Sequence, residues 1–133
     1  MMRPKLPDPL ETEIWKSIRD RLSVHGITLW RRNVGALKWK HKDKSGWVMF
    51  SRPGQSDLWG IGPDGRHWEI EAKRYGKKPT KAQMAWLLYC SRIGAVAFWA
   101  DSPDVAERVA LAVLEGGQIE WLEGVDYDVR FPE

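Results

Sequence analysis

The sequence contains one cysteine, Cys90, and has no long apolar run. A single cysteine excludes an intrachain disulfide and any zinc or iron–sulfur site that is built on several cysteines. No segment approaches the roughly 18–20 apolar residues that a membrane-spanning helix needs, so we expect no membrane partner. The N-terminal residues lack the apolar stretch of a secretory signal, and we therefore expect an intracellular protein.

Several common functional motifs are also missing. The three histidines, His25, His41 and His67, are scattered without the spacing of zinc ligands. The chain has neither the serine elbow of a hydrolase nor a glycine-rich phosphate loop. We therefore expect no organic cofactor.

The chain does have enough apolar sequence for one folded domain. Its 133 residues are 43% apolar and 29% charged, which predicts one domain over residues 1–133 with its own core. Nine residues are tryptophan. We expect most of them in the core, because a chain of this size has little other volume to fill.

Positive and negative charges are separated along the chain. Residues 30–54 contain seven Lys or Arg and one acid, whereas residues 101–133 contain nine acids and two arginines. A basic segment of this kind is typical of a surface that contacts a polyanion. The alternative is a solvated basic loop without a partner.

Periodicity and turn signals divide the chain into helices and strands. Asp8 and Pro9 are predicted to open the first helix, and Thr80 to cap the second. The predicted helices are 9–25, 80–93 and 103–115. The predicted strands are 27–32, 36–40, 47–51, 57–61, 66–73, 95–100 and 118–122. This order is typical of an α/β protein with a mixed sheet.

The stretch 36–51 predicts a β-hairpin with a polar tip. Alternation places Lys38 and Lys40 together on one strand face, and Lys42 and Lys44 fall in the tip. The hairpin tryptophans either stack on unpaired bases or, more commonly, stabilise the hairpin across its strands. The lysines either hold a DNA backbone or keep the edge of a dimerising hairpin soluble.

The segment from Asp57 to Lys73 contains the candidate metal-binding and catalytic side chains. Alternation along 66–73 puts Glu69, Glu71 and Lys73 on one strand face, and a short turn brings Asp57 beside Glu71. Two adjacent carboxylates repel unless a cation lies between them, which suits Mg²⁺ or Mn²⁺. The alternative is a solvated face with cross-strand ion pairs. Because these are polar strand positions, we expect their truncation to open no cavity in the core.

Five short segments together resemble the VRR-NUC branch of the PD-(D/E)XK, or restriction-endonuclease-like, nuclease superfamily. In chain order they are Glu11, Arg32-Asn33-Val34-Gly35, Gly54-Gln55-Ser56-Asp57, Glu71-Ala72-Lys73 and Gln83. The resemblance covers about residues 10–100. The chain departs from the superfamily pattern at position 56, where a serine replaces the proline before the aspartate.

The resemblance implies a fold and a set of roles. The fold is an αβββαβ core with a mixed central sheet flanked by helices, with the basic hairpin as an insertion. Asp57 and Glu71 would bind Mg²⁺ or Mn²⁺, with the backbone carbonyl of Ala72 as a third ligand. Lys73 would position the nucleophile, and Gln83 would steady Lys73 or the attacking water.

The resemblance also implies an acidic residue near the N-terminus that joins the metal through water or a second ion. Glu11 and Glu13 are the candidates. Glu11 lies on the apolar helix stripe that faces the sheet, whereas Glu13 lies on a mostly polar side, so we choose Glu11. Both also fit a first-turn acid that favours the helix dipole.

The function implied is a metal-dependent DNA endonuclease. Small members of this branch act as homodimers on branched DNA such as Holliday junctions, in a bacterial cytoplasm or nucleoid or as phage-encoded enzymes. The expected DNA contacts are Arg32, Asn33, Lys38, Lys40, Lys42, Lys44, Lys78 and Lys81. The alternatives are a nucleic-acid-binding module without catalysis and a sequence-specific restriction-type nuclease of the same fold.

Overall fold

The computed structural model of the protein describes residues 9–32, 36–49 and 54–133. The helices are α1 (Glu11–Ser23), α2 (Lys81–Arg92) and α3 (Pro103–Leu114). The strands are β1 (Thr28–Arg31), β2 (Ala36–His41), β3 (Lys44–Met49), β4 (Leu58–Ile61), β5 (His67–Ala72), β6 (Val96–Ala100), β7 (Gln118–Leu122) and β8 (Asp126–Arg130).

The central sheet has the strand order β1-β4-β5-β6. The first three strands pair antiparallel, and β5 pairs parallel with β6 after the crossover through α2. Without the β2–β3 hairpin, the element order α1, β1, β4, β5, α2, β6 is the predicted αβββαβ core. The predicted α/β class with a mixed central sheet flanked by helices is confirmed.

Side-chain alternation on β5 divides the core into two layers. Trp68, Ile70 and Ala72 pack with buried residues of α1 and α3 on one side of the sheet. On the other side, Leu87 and Cys90 of α2 pack on β6 and the residue before it. The second face of β5 therefore lies beneath α2.

This arrangement corrects one expectation about the polar face of β5. Glu69 and Glu71 are each 1% exposed, and Lys73 is 9% exposed. The face was expected to be solvated enough for truncation to leave no cavity, but the chain beyond β5 returns as α2 and covers it. Isosteric substitutions are therefore the appropriate probes here.

The basic hairpin is tighter than predicted. His41 pairs with Lys44, so the turn consists of Lys42 and Asp43 rather than the six residues 41–46. Lys44 belongs to a strand, not to the tip. The pairing of β2 with β3 forms a separate two-stranded sheet, as expected for an inserted hairpin.

The hairpin tryptophans lie on opposite faces and do not form a cross-strand pair. Trp47 is the register partner of Lys38, whose Nζ lies 5.9 Å from the centre of the Trp47 ring. The indole of Trp39 instead packs on Gly46. A Cβ added at Gly46 would lie 2.7 Å from the nearest atom of this indole. Both indoles are exposed, so each strand face of the hairpin presents one aromatic ring.

The tryptophans divide between the core and the surface. Of the nine, Trp15 and Trp68 are buried, and Trp86, Trp99 and Trp121 are partly buried against the core, so most belong to it or contact it as expected. Trp30 and Trp59 stack with their ring centres 5.1 Å apart on the same sheet face as Glu69, and Trp30 is 45% exposed. Within residues 9–32, 36–49 and 54–133, α2 covers the β5–β6 half of this face, and no helix covers the β1–β4 half.

The first helix begins later than predicted, with Leu10 at its N-cap position. The Glu13 carboxylate accepts a hydrogen bond from the Leu10 N–H at 3.1 Å and so satisfies one donor at the helix start. Pro9 therefore precedes the helix, and Asp8 lies outside the described residues.

The last strand, β8, was not predicted. It pairs antiparallel with β7 to form a second hairpin beside β6. The Trp99 indole donates to the Val125 carbonyl, and the Tyr127 hydroxyl donates to the Trp99 carbonyl. These contacts cover the free edge of β6. Among the described residues, no helix is long and apolar enough to span a membrane.

Gly60→Ala is expected to destabilise the protein strongly. A Cβ at Gly60 would lie 1.8 Å from the Thr28 carbonyl oxygen, so β1 and β4 would have to separate. We expect a loss of about 3 kcal/mol or more in the free energy of unfolding, measured by urea denaturation. Gly65→Ala is the control: it has a φ of +84° but meets nothing within 4 Å, and should cost about 1–2 kcal/mol. Equal losses would contradict this explanation.

Candidate functional site

Three carboxylates meet at one end of the central sheet. Oxygen atoms of Glu11, Asp57 and Glu71 all lie within 4.8 Å of one another. They come from three elements: Glu11 is the first residue of α1, Asp57 directly precedes β4, and Glu71 is near the end of β5. The structure thus brings Glu11 into the cluster. Glu13 instead lies at the helix surface and bonds Leu10.

The turn before Asp57 depends on a glycine. Gly54 has a φ of +87°, a region that side chains disfavour. An added Cβ there would also lie 2.7 Å from the carbonyl oxygen of Ala82, in the first turn of α2. Gly54 therefore lets the turn pass directly beneath the start of α2, which places Asp57 at the end of β5.

Backbone hydrogen bonds lock Asp57 to β5. The Asp57 N–H donates to Glu71 Oε2 at 3.2 Å, and the Ala72 N–H donates to Asp57 Oδ2 at 3.2 Å. In an extended strand, the N–H and C=O of one residue point to the same side. The carbonyl of Ala72 therefore points toward Asp57, as its predicted role as a ligand requires.

The electrostatics of the cluster favour protonation or a bound cation. Burial, with Asp57 alongside, raises the pKa of Glu71 from 4.5 to about 8. Burial also raises the pKa of Asp57 and, with Asp57 as a second cause, that of Glu11. In the described part of the chain, the one salt bridge to these carboxylates comes from Lys73, whose Nζ is 3.6 Å from Glu71 Oε1. The charges of Lys73 and Arg31 lower the pKa of Asp57, and together with Arg74 that of Glu11, but burial outweighs them and leaves both pKa values raised.

These residues fit a hard divalent cation. Closely spaced carboxylate oxygens, with a carbonyl beside them, are the donor set that Mg²⁺ and Mn²⁺ prefer. Burial raises the pKa values of Glu71 and Asp57, with repulsion from Asp57 as a second cause for Glu71, and a bound cation would stabilise their charged forms. Glu11, Asp57 and Glu71 are therefore the residues that would hold it.

Gln83 contacts a different partner from the one predicted. Its Nε2 donates to Glu71 Oε1 at 3.0 Å, whereas its Oε1 accepts from the Thr80 N–H at 2.9 Å. The predicted Thr80 cap is present, and its hydroxyl accepts from the Gln83 N–H. Gln83 thus orients Glu71 rather than Lys73, and its own side chain is held by the helix cap.

A second polar cluster lies behind Asp57, and sequence reasoning missed it. Glu69 is the buried acid at its centre. Its carboxylate accepts two hydrogen bonds from the Arg32 guanidinium, at 2.8 and 3.0 Å, and one from the Ser56 hydroxyl at 2.8 Å. The sequence does show that Glu69 shares a strand face with Glu71. It does not show the partners of Glu69, because Arg32 and Ser56 are distant from it in the chain.

This cluster corrects the expected role of Arg32. The side chain is 14% exposed and is held by Glu69, with its Cζ 5.6 Å from the centre of the Trp86 ring. A phosphate would have to displace this ion pair to reach the guanidinium, so Arg32 is not an open DNA contact.

The other expected DNA contacts are dispersed. Lys38, Lys40, Lys42 and Lys44 are exposed on the β2–β3 hairpin. Lys78 and Lys81 are exposed at the start of α2, three residues or fewer from the Thr80 cap. Asn33 lies outside the described residues.

Comparison with solved structures identifies the fold. The chain is similar to a structure described as a VRR_NUC domain, with a TM-score of 0.56 and 22% sequence identity over 76% of this chain and 94% of that one. No model of a protein family matches the sequence, and a search of curated proteins finds no match. The protein therefore has the VRR_NUC fold that the five sequence segments predicted.

Proposed function

We propose that the protein is a metal-dependent nuclease that hydrolyses phosphodiester bonds in DNA. The observation that carries the proposal is the group of three carboxylates, from three separate elements, within 4.8 Å of one another beside Lys73. The similarity to a VRR_NUC domain structure supports the proposal, because the resemblance in the sequence implies that Asp57 and the Glu71-Ala72-Lys73 motif form the metal site of such a nuclease.

The residues of the cluster would have separate roles in cation binding and in catalysis. Glu11, Asp57 and Glu71 would hold the cation, and Gln83 would keep Glu71 in its bound rotamer through their 3.0 Å hydrogen bond. The Lys73 ammonium, at the edge of the cluster, would orient the attacking water and stabilise charge that develops on the phosphate. When bound, Mg²⁺ or Mn²⁺ would supply Lewis-acid activation of water and phosphate.

The proposed substrate is branched DNA, such as a Holliday junction, cut by a homodimer inside the cell. The exposed lysines of the hairpin support a backbone contact, which favours recognition of shape over sequence. A two-fold dimer would place one site on each of two strands of a symmetric junction.

A titration with Mn²⁺ followed by thermal unfolding tests the proposed site. An ion that binds the folded protein alone raises the unfolding temperature as its concentration rises. We expect such a rise for the wild-type protein, reversed by a chelator. An unchanged unfolding temperature at millimolar Mn²⁺ would contradict the metal site and favour the alternative, a nucleic-acid-binding module without catalysis.

The hairpin lysines are expected to set the salt dependence of DNA binding. Replacing Lys38, Lys40, Lys42 and Lys44 together by Gln should flatten the slope of log affinity against log salt by about 0.9 per lost phosphate contact. A salt series of binding assays measures the slope. Mn²⁺ binding, measured in parallel, should not change, because these residues lie outside the carboxylate cluster.

The same variant separates DNA binding from dimerisation. If the slope is unchanged and sedimentation shows a shift from dimer to monomer, the hairpin is a dimer contact rather than a DNA contact. Digestion of unmethylated linear plasmid separates the restriction-type alternative, which would give discrete fragments.

A further inference from the structure

The buried ion pair behind Asp57 connects the end of β1 with β5, the strand that carries Glu71. Arg32 follows β1, and Glu69 lies on β5 two residues before Glu71. Their carboxylate–guanidinium contact is bidentate, at 2.8 and 3.0 Å. Fork-to-fork pairs of this kind fix orientation as well as distance.

The remaining donors of Arg32 reach the segment that carries Asp57. Its Nη1 donates to the Ser56 carbonyl at 3.1 Å, and its backbone N–H donates to the Asp57 carbonyl at 2.7 Å. The Ser56 hydroxyl in turn donates to Glu69 at 2.8 Å. Ser56 is thus bonded to both members of the ion pair: its carbonyl accepts from Arg32, and its hydroxyl donates to Glu69.

Trp86 of α2 closes this group. Its ring lies 5.6 Å from the Arg32 Cζ, so the guanidinium is enclosed between an aromatic face and a carboxylate. We call Arg32, Ser56, Glu69 and Trp86 the anchor cluster. Ser56 and Glu69 are each 1% exposed.

We propose that the anchor cluster is a positioning device that sets the spacing between Asp57 and Glu71 for cation binding. The inference rests on the proposed function. Glu69 and Glu71 share one strand, and Arg32 bonds the backbone of Ser56 and Asp57. A longer or weaker contact between Arg32 and Glu69 would therefore change the distance between the carboxylates of Asp57 and Glu71.

Arg32→Lys on the full chain tests the proposal. Lysine keeps the positive charge beside Glu69 but cannot reach both carboxylate oxygens and the Ser56 carbonyl at once. We expect Mn²⁺ to bind about tenfold more weakly by calorimetry, a loss typical of residues that support metal ligands. Cleavage should need more Mn²⁺ for half-maximal rate, with the rate at saturating Mn²⁺ largely restored.

Two controls make the result specific. Arg21→Lys alters another arginine, which pairs with Asp104 and Glu107 at the contact of α1 with α3, and should leave Mn²⁺ affinity unchanged. Ser56→Ala removes only the hydroxyl that reaches Glu69, so it should weaken Mn²⁺ binding in the same direction even if Arg32→Lys fails to fold.

DNA binding in chelator, measured across a salt series, separates the competing roles. Weaker DNA binding by Arg32→Lys at every salt concentration, with unchanged Mn²⁺ affinity, would make Arg32 a phosphate contact and overturn the proposal, since lysine keeps the charge but not the bidentate geometry. Mn²⁺ affinity and DNA affinity that both equal those of the wild-type protein would make the ion pair merely structural and also overturn the proposal. Failure of the wild-type protein to bind Mn²⁺ would overturn the proposed function itself.

Discussion

Glu71→Gln is expected to lower the rate of DNA cleavage by about 10²–10³-fold or more. Glutamine keeps the volume and, through its amide oxygen, the hydrogen bond to Gln83, but it removes the charge that faces Asp57 and Glu11 and the oxygen that accepts from the Asp57 N–H. The cation then loses one of three carboxylates, and Lys73 loses its partner. Single-turnover cleavage in Mg²⁺ measures the change.

The matched control is Glu115→Gln, which neutralises an exposed acid at the end of α3. Its cleavage rate should equal that of the wild-type protein. If Glu71→Gln cleaved at the wild-type rate, Glu71 would not be a ligand, and Glu69 on the same strand face would become the candidate.

The stability of the protein in chelator is expected to fall as the pH rises from about 4.5 to about 8. Burial raises the pKa of Glu71 from 4.5 to about 8, so over this range the native state holds a proton that the unfolded state has released. Stability decreases with pH wherever the native state binds more protons. Since one pKa unit corresponds to about 1.4 kcal/mol, the loss amounts to a few kcal/mol.

Urea unfolding at a series of pH values measures this loss. Glu71→Gln removes the titrating group, so its free energy of unfolding should depend less on pH over the same range. Mn²⁺ should restore stability at pH 8 in the wild-type protein alone. A wild-type stability that rose steadily between pH 5 and pH 8 would contradict the electrostatics described for the cluster.

Local sequence patterns predicted the parts of the site that depend on local geometry. Alternation along β5 placed Glu69, Glu71 and Lys73 on one face, and the short turn after β4 brought Asp57 beside Glu71. The stripe on α1 distinguished Glu11 from Glu13. These features follow from strand and helix periods, which tertiary packing did not override.

The sequence could not show what lies across the sheet from these residues. The burial of Glu69 and Glu71 depends on α2, which forms the crossover from β5 to β6 and packs over this face of β5. The pairing of Arg32 with Glu69 joins residues far apart in the chain, and no local period encodes it. The sequence predicted that Gln83 lies near the site, and it does. It could not show that the Thr80 N–H holds the Gln83 Oε1, so that the Gln83 Nε2 donates to Glu71.

The tryptophans that depart from the predicted core position do so for a related reason. Size and apolarity predict an interior position, but Trp30 is exposed on the central sheet, and Trp39 and Trp47 are exposed on the hairpin. Burial depends on which faces other elements cover, and that is a property of the whole fold.

Cleavage of a panel of DNA substrates tests the central claim most directly. The panel comprises a four-way junction, a flap, a splayed duplex and a linear duplex, each with Mg²⁺, with Mn²⁺ and with chelator. The proposed function predicts cation-dependent cuts, most efficient on the junction, and none by Asp57→Asn. Binding of these DNAs without cleavage of any of them, at every cation concentration, would contradict it.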